Sequence, residues 1–153
     1  MKRVIPIVIM AIALGYCDNS GNDSLLWEFL DRVEDYGDKI LTFQRDFVII
    51  SGTLHDSELN YAIMLTEVAR AAHDYYWHIY DLTLIYIKLR NDREIVSEIM
   101  NKSRTEIVKH LESFGERINQ ISTWSNHKRL IIKGNQFNAI IDEFAKVLRD
   151  FEF

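Results

Sequence analysis

The sequence has few of the residues on which several common protein classes depend. It contains one cysteine, one proline and six glycines in 153 residues. A single cysteine excludes an internal disulfide and a cysteine-rich zinc site, so the fold must be stabilised by packing alone. The low proline and glycine content, together with 48% hydrophobic residues, is unlike that of disordered or low-complexity chains. We therefore expect one globular domain with a substantial core.

Basic clusters and catalytic motifs are absent as well. The formal net charge is −5, and Lys and Arg are nowhere grouped as they are on a nucleic-acid-binding surface. There is no Gly-x-Ser-x-Gly, no glycine-rich phosphate loop, no His-Glu-x-x-His and no haem-attachment motif. No glutamate is followed by a histidine three residues later, as the di-iron bundles require. The sequence therefore predicts neither an enzyme nor a protein that carries a cofactor.

The first seventeen residues, MKRVIPIVIMAIALGYC, have the composition of an export signal. Lys2 and Arg3 precede an apolar run, and an abruptly polar stretch follows it. The apolar run is too short for a comfortable membrane span, which takes about 20 residues. These features predict a signal peptide over residues 1–16 and a polar tether over residues 17–23.

The end of this segment, Leu14-Gly15-Tyr16-Cys17, resembles the lipobox of bacterial lipoproteins. The resemblance implies cleavage before Cys17, a diacylglycerol on its thiol, and a membrane-anchored protein on the periplasmic or surface side of the cell envelope. Tyr16 departs from the motif, which normally has Gly, Ala or Ser there. Two alternatives therefore stay open, a relaxed motif or ordinary cleavage nearby, for example after Gly15. The second would leave the protein periplasmic or secreted.

Apolar residues after the tether recur at alternating spacings of three and four, which is typical of helices packed as in coiled coils. The pattern predicts helices at 24–50, 57–90, 92–123 and 127–151. No strand pattern competes, and the links are too short to separate domains. We expect residues 24–153 to form one all-α domain, an antiparallel up-down four-helix bundle with coiled-coil-like heptad packing.

The heptad repeats also predict which side chains form the core. In the first helix they are Leu26, Phe29, Val33, Tyr36, Ile40, Phe43, Phe47 and Ile50, and in the second Tyr61, Leu65, Val68, Ala72, Tyr75, Ile79, Leu82, Tyr86 and Leu89. In the third they are Ile95, Ile99, Ser103, Ile107, Leu111, Phe114, Ile118 and Ile121, and in the fourth Leu130, Gly134, Phe137, Ile141, Phe144, Leu148 and Phe151. The third helix is irregular at its start, which indicates a local change in helix crossing.

A second apolar stripe on the second helix is the main functional signal. It consists of Trp77, Tyr80, Leu84 and Ile87 and lies about half a turn from the core stripe. A helix of an isolated bundle needs only one such stripe, and Trp and Tyr dominate interface hot spots. We therefore expect an exposed patch covered by a partner protein or by a second copy in a homodimer. The alternative is that this helix is more deeply buried, packed against three others.

A polar row on the same helix allows a weaker hypothesis. Asp74, His78 and Asp81 are spaced i, i+4 and i+7, the spacing that a metal site or a His–carboxylate relay would use. The more ordinary interpretation is a solvated stripe between two packed faces. The row supports an alternative function, a bundle that binds a small ligand or a metal, with Gly134 marking room for the ligand.

The sequence thus predicts an exported, lipid-anchored protein without enzymatic activity. Its expected partners are another protein or itself, through the patch on the second helix, and a membrane, through Cys17. Its acidic charge argues against a nucleic-acid partner.

Overall fold

The structure, a computed structural model, describes residues 22–89 and 93–153. These residues form four helices, α1 (Asn22–Ser51), α2 (Asp56–Lys88), α3 (Arg93–Trp124) and α4 (Lys128–Asp150). Neither described range contains a strand. Every helix begins and ends within two residues of the predicted bounds, which confirms the predicted all-α fold.

The helices form an up-down-up-down bundle. The closest packing joins helices that follow each other in the chain, α1 with α2 and α3 with α4, and α2 also packs on α3. Contacts between α1 and α4 close the ring, whereas α2 and α4 touch only slightly across its diagonal. Because the links are short, each helix runs antiparallel to the one before it.

The heptad repeats of α1 and α4 identify the core correctly. Each predicted core position on these two helices is buried or half-buried. Large side chains such as Phe29, Phe47, Phe137 and Phe144 are almost wholly inaccessible to solvent. Together they supply much of the apolar burial on which a fold without disulfides depends.

The predicted core of α2 is correct in its first half and displaced in its second half. Leu65, Val68, Ala72 and Ile79 are buried as expected. Beyond Ala72, however, Tyr76, Thr83 and Ile87 are buried in place of Tyr75, Leu82 and Tyr86, which are half-buried, and Leu89 is exposed. The reason is geometric: a straight α-helix has 3.6 residues per turn, so its buried line drifts forward relative to a strict seven-residue repeat.

The start of α3 shows the same displacement. Ile95 and Ile99 were expected in the core but are 65% and 51% exposed, and Val96 and Met100 are buried instead. The irregular start of the repeat therefore marks the place where the predicted core is wrong by one residue.

The contact between α3 and α4 is close because glycines face polar side chains across it. A Cβ atom on Gly115 would lie 3.0 Å from Oδ1 of Asn138, and one on Gly134 would lie 2.7 Å from Oγ of Ser122. Leu65 and Ile118 also contact the Gly134 position. The expectation that Gly134 marks room for a ligand is therefore wrong, since neighbouring side chains already fill that space.

The link between α3 and α4 is fixed to the start of α2 through Glu58. Its carboxylate accepts hydrogen bonds from Oγ of Ser125 at 2.6 Å and from the backbone N–H of Asn126 at 2.8 Å. These bonds favour the charged form and lower the pKa of Glu58. His127 then begins α4 as its N-cap, with Nδ1 accepting from the backbone N–H of Leu130 at 3.3 Å.

Candidate functional site

Trp77 is the exposed member of a group of rings on the outer surface of α2. Its side chain is 45% exposed. Its ring centroid lies 5.0 Å from that of Tyr76, 5.6 Å from that of Tyr80 and 6.2 Å from that of His73. We refer to these four residues as the aromatic cluster. Since three neighbouring rings pack against the indole and restrict its rotation, binding through its exposed part costs less side-chain entropy.

The aromatic cluster is anchored on α1 through a glycine. The ring of Tyr76 is buried, and a Cβ atom on Gly37 would lie 2.5 Å from its Cζ atom. Only a residue without a side chain leaves space for the ring at this point. Gly37 therefore allows α1 and α2 to come together with a tyrosine between them, and Tyr76 in turn supports Trp77.

The predicted patch of Trp77, Tyr80, Leu84 and Ile87 does not form a continuous exposed surface. Trp77 is exposed as expected, Tyr80 and Leu84 are half-buried, and Ile87 is only 9% exposed. Tyr80 packs against the core. The bundle itself therefore covers Ile87 and part of Tyr80 and Leu84. The alternative interpretation, in which α2 is packed against three helices, is met only in part, because α2 packs on α1 and α3 and touches α4 only slightly.

Exposed carboxylates surround the aromatic cluster on both helices. They are Asp31, Glu34 and Asp38 on α1 and Asp74 and Asp81 on α2. Within the described part of the chain, the ion pairs all involve other acids, and none of these carboxylates has a Lys or Arg partner. The aromatic cluster, with the exposed part of Trp77, therefore lies in an electronegative surrounding.

The titration of the two clustered tyrosines reflects this surrounding. Burial, reinforced by Glu34, Asp38 and Asp81, raises the pKa of Tyr76 to about 12. Burial and the charges of Glu34, Asp81 and Asp31 also raise the pKa of Tyr80. Both effects disfavour an additional negative charge, so the phenols stay neutral.

His73 behaves differently because burial acts against its charged form. Burial lowers the pKa of its imidazole, and the carboxylates of Asp74 and Asp38 only partly oppose that effect. The ring is therefore neutral at neutral pH and adds no positive charge to the cluster.

The polar row of Asp74, His78 and Asp81 lies on the solvent side of α2, with each side chain exposed. The structure does not bring these groups together. In the described ranges no cluster of three or more His, Asp or Glu side chains is arranged to hold a metal ion. The row is therefore the solvated stripe of the ordinary interpretation.

An open groove of about 590 Å³ runs between α2 and α3. Its lining residues are Tyr75, His78, Ile99, Lys102, Ser103, Glu106, Ile107 and His110. Tyr75 stacks on His110 with their ring centroids 5.1 Å apart and an interplanar angle of 14°. The groove mixes apolar walls with polar side chains, among them a lysine, a glutamate and two histidines, a combination suited to a small polar ligand.

Sequence reasoning missed the roles of Gly37, His73 and Tyr76 at the candidate site. A weak signal existed, because Tyr75 and Tyr76 are adjacent and two neighbouring large rings cannot both point into one core stripe. The position of Gly37 on the facing helix decides which ring is buried, and its pairing with Tyr76 is a tertiary contact that no local pattern reveals.

Cys17 and the predicted leader and tether lie outside the described residues. Among the described helices, none combines the length and the apolar character needed to cross a bilayer.

Comparisons with known protein families, curated proteins and solved structures yield no match for this chain.

Proposed function

We propose that this chain is a non-enzymatic protein of the bacterial cell envelope, anchored to a membrane through lipidated Cys17, whose bundle binds another protein. The observation that carries the proposal is Trp77, an indole that is 45% exposed on the middle of a long helix and yet ordered by three neighbouring rings. Tryptophans fixed in this way at the centre of a surface dominate the energetics of many interfaces.

The proposed binding surface differs from the patch expected from the sequence. It centres on Trp77 and includes the accessible parts of His73, Tyr80 and Leu84, each of which is half-buried. Ile87 is buried and belongs to the core rather than to the surface.

The charge around the surface favours a partner other than a second copy. A two-fold homodimer through Trp77 would place the same carboxylates against each other, including Glu34, Asp38 and Asp81. Juxtaposed like charges oppose association. A different protein is therefore the better candidate, and a homodimer is an outcome that the experiment below detects.

Photo-crosslinking at Trp77 tests the proposal. A photoreactive phenylalanine derivative replaces Trp77 in the full chain, in cells that produce the protein natively, and illumination captures whatever lies against that ring. Trp124 is the matched control position, because it is an indole of similar exposure, 52%, at the end of α3. We expect one discrete protein adduct from position 77 and none from position 124. Equal adducts from both positions, or none from position 77, would contradict the proposal that this surface binds a partner.

A second experiment tests the anchor separately. Cells are fed an alkyne analogue of palmitate, and the wild type is compared with Cys17→Ser. We expect label and membrane association in the wild type and loss of both in the variant. Unlabelled wild-type protein in the soluble fraction would contradict the proposed lipid anchor but would leave the proposal about the binding surface unaffected.

The groove between α2 and α3 favours a second candidate function, the binding of a small polar ligand. Its volume of about 590 Å³ lies within the ordinary range of ligand sites. Native mass spectrometry of the purified full chain would detect a bound small molecule. We expect Ser103→Trp, which fills the groove, to abolish any such mass shift, whereas Ser113→Trp at an exposed position of the same helix keeps it.

A further inference from the structure

We propose that the partner of the aromatic cluster presents a basic segment, with an Arg or Lys side chain over the indole of Trp77. This inference rests on the proposed protein-binding function and names the chemistry of the partner. It is carried by the position of an ordered, exposed ring among carboxylates for which the described part of the chain supplies no Lys or Arg partner.

The ring provides the first half of the recognition. The face of an indole attracts a cation more strongly than that of any other side chain, and the attraction grows when the cation is partly desolvated. Tyr76 and Tyr80 flank Trp77 with ring centroids at 5.0 and 5.6 Å, and both phenols stay neutral. A guanidinium or ammonium group seated there would meet the indole and the accessible part of Tyr80, while the buried ring of Tyr76 supports the indole.

The carboxylates provide the second half. Glu34 and Asp38 are one helical turn apart on α1, so they lie about 6 Å from each other on one face. Asp74 and Asp81 are two turns apart on α2, about 10 Å along its axis. The rings thus have a row of acids on either side, and these rows suit an extended chain with several basic residues better than a single small cation.

Other occupants fit the same surface less well. A metal ion needs converging ligands, and within the described residues no such group exists. A second copy would bring like charges together, as argued above. An apolar partner would gain contact with Trp77 but would leave the carboxylates desolvated and unpaired, which costs free energy.

Fluorescence anisotropy with labelled peptides tests the inference on the full chain purified in detergent. Three peptides of equal length and equal spacing carry Arg, Ser or Glu at the alternating positions. We expect the Arg peptide alone to bind, with an affinity that falls as salt is added because the attraction is electrostatic.

Matched variants separate specific recognition from general attraction to an acidic protein. The test variant combines Glu34→Gln, Asp38→Asn and Asp81→Asn, and the control combines Glu98→Gln, Glu116→Gln and Glu152→Gln, exposed acids outside the site that change the net charge equally. We expect the test variant to lose on the order of tenfold in affinity, as close charge pairs do, and the control less than about twofold.

The ring is tested with Trp77→Leu, which keeps an apolar side chain and removes the π face. We expect a loss of roughly fivefold or more, against no change for Trp124→Leu. Circular dichroism checks that each variant keeps the helix content of the wild type.

The outcomes distinguish this inference from the proposed function on which it rests. An Arg peptide that does not bind, or that binds the test and control variants equally, overturns the inference. So does a photo-crosslinked partner whose contact segment is uncharged or acidic, although that result would leave the protein-binding function intact. Failure to capture any partner at position 77 overturns both.

Discussion

The two flanks of α2 show how one helix makes a closed contact on one side and an open one on the other. Toward α1, the ring of Tyr76 lies directly on Gly37 and is buried. Toward α3, the ring of Tyr75 stacks on His110 at 5.1 Å, stays half-buried and lines an open groove. Two adjacent tyrosines on opposite flanks of α2 are therefore buried to different degrees.

The difference comes from the residue that faces each ring. A glycine lets the backbones approach until the tyrosine fills the space between them. A histidine facing a tyrosine adds a second ring to the gap and keeps the helices apart, so the groove remains. The side-chain volume of the facing helix, rather than the apolar pattern of α2, decides which flank closes.

The largest expected loss of stability comes from removing the ring of Tyr76, and removal of the ring of Tyr75 is the comparison. Tyr76→Ala should lower the free energy of unfolding by about 3–5 kcal/mol, because it leaves a cavity in the closed contact. Tyr75→Ala removes a ring that already borders an open groove, so we expect a loss of about 1 kcal/mol. Urea unfolding followed by circular dichroism measures both. Equal losses would show that the two flanks are packed alike.

A substitution of Gly37 tests the closed flank from the side of α1. Gly37→Ala would place a Cβ atom 2.5 Å from the Tyr76 ring, and we expect a loss of about 1–3 kcal/mol from overpacking. Gly52→Ala in the turn after α1 is the control and should change stability by less than about 0.5 kcal/mol. In a Tyr76→Ala background, Gly37→Ala should instead stabilise by roughly 0.5–1 kcal/mol, because alanine is the better helix former. Additive effects would contradict the proposed contact.

Two serines of α3 sharpen the contrast between open and closed contacts. Ser103 lines the groove beside α2, whereas Ser122 lies against Gly134 in the tight contact with α4. We expect Ser103→Leu to stabilise by up to about 1 kcal/mol through added apolar burial and Ser122→Leu to destabilise by about 1–3 kcal/mol through overpacking. Thermal unfolding of the two variants checks the signs, and a loss of stability for Ser103→Leu would mean that the groove is closed in solution.

The number, lengths and order of the helices could be predicted from the sequence because they depend on local signals. Heptad spacing and short links determine them, and α1 and α4 follow the repeat from end to end. The predicted core failed at Tyr75, where a strict seven-residue repeat departs from the 3.6-residue turn of a straight helix, and at Ile99, where the apolar spacing of α3 is irregular.

The candidate site could be predicted only in part, and the reason is again physical. Trp77 was recognisable because it falls off the core stripe of its own helix. The burial of Ile87, the support from Gly37 and the carboxylates of α1 all depend on which helix lies beside α2. That choice is made by tertiary packing, which a spacing pattern within one helix does not encode.

The smallest effect that we predict is a pH dependence confined to the closed flank. Burial lowers the pKa of His73 below its ordinary value of 6.5 in the folded chain. The unfolded chain therefore binds a proton on His73 at a higher pH than the folded chain does. This protonation stabilises the unfolded state relative to the folded state. The free energy of unfolding should accordingly fall as the pH is lowered from 7 through the range below 6.5, until the folded chain is protonated too.

His73→Gln should flatten this decline, whereas His78→Gln, which removes an exposed histidine from the other flank, is the control with an equal histidine count. Urea titrations at several pH values measure the slope, and a decline that survives His73→Gln unchanged would place its origin elsewhere in the bundle.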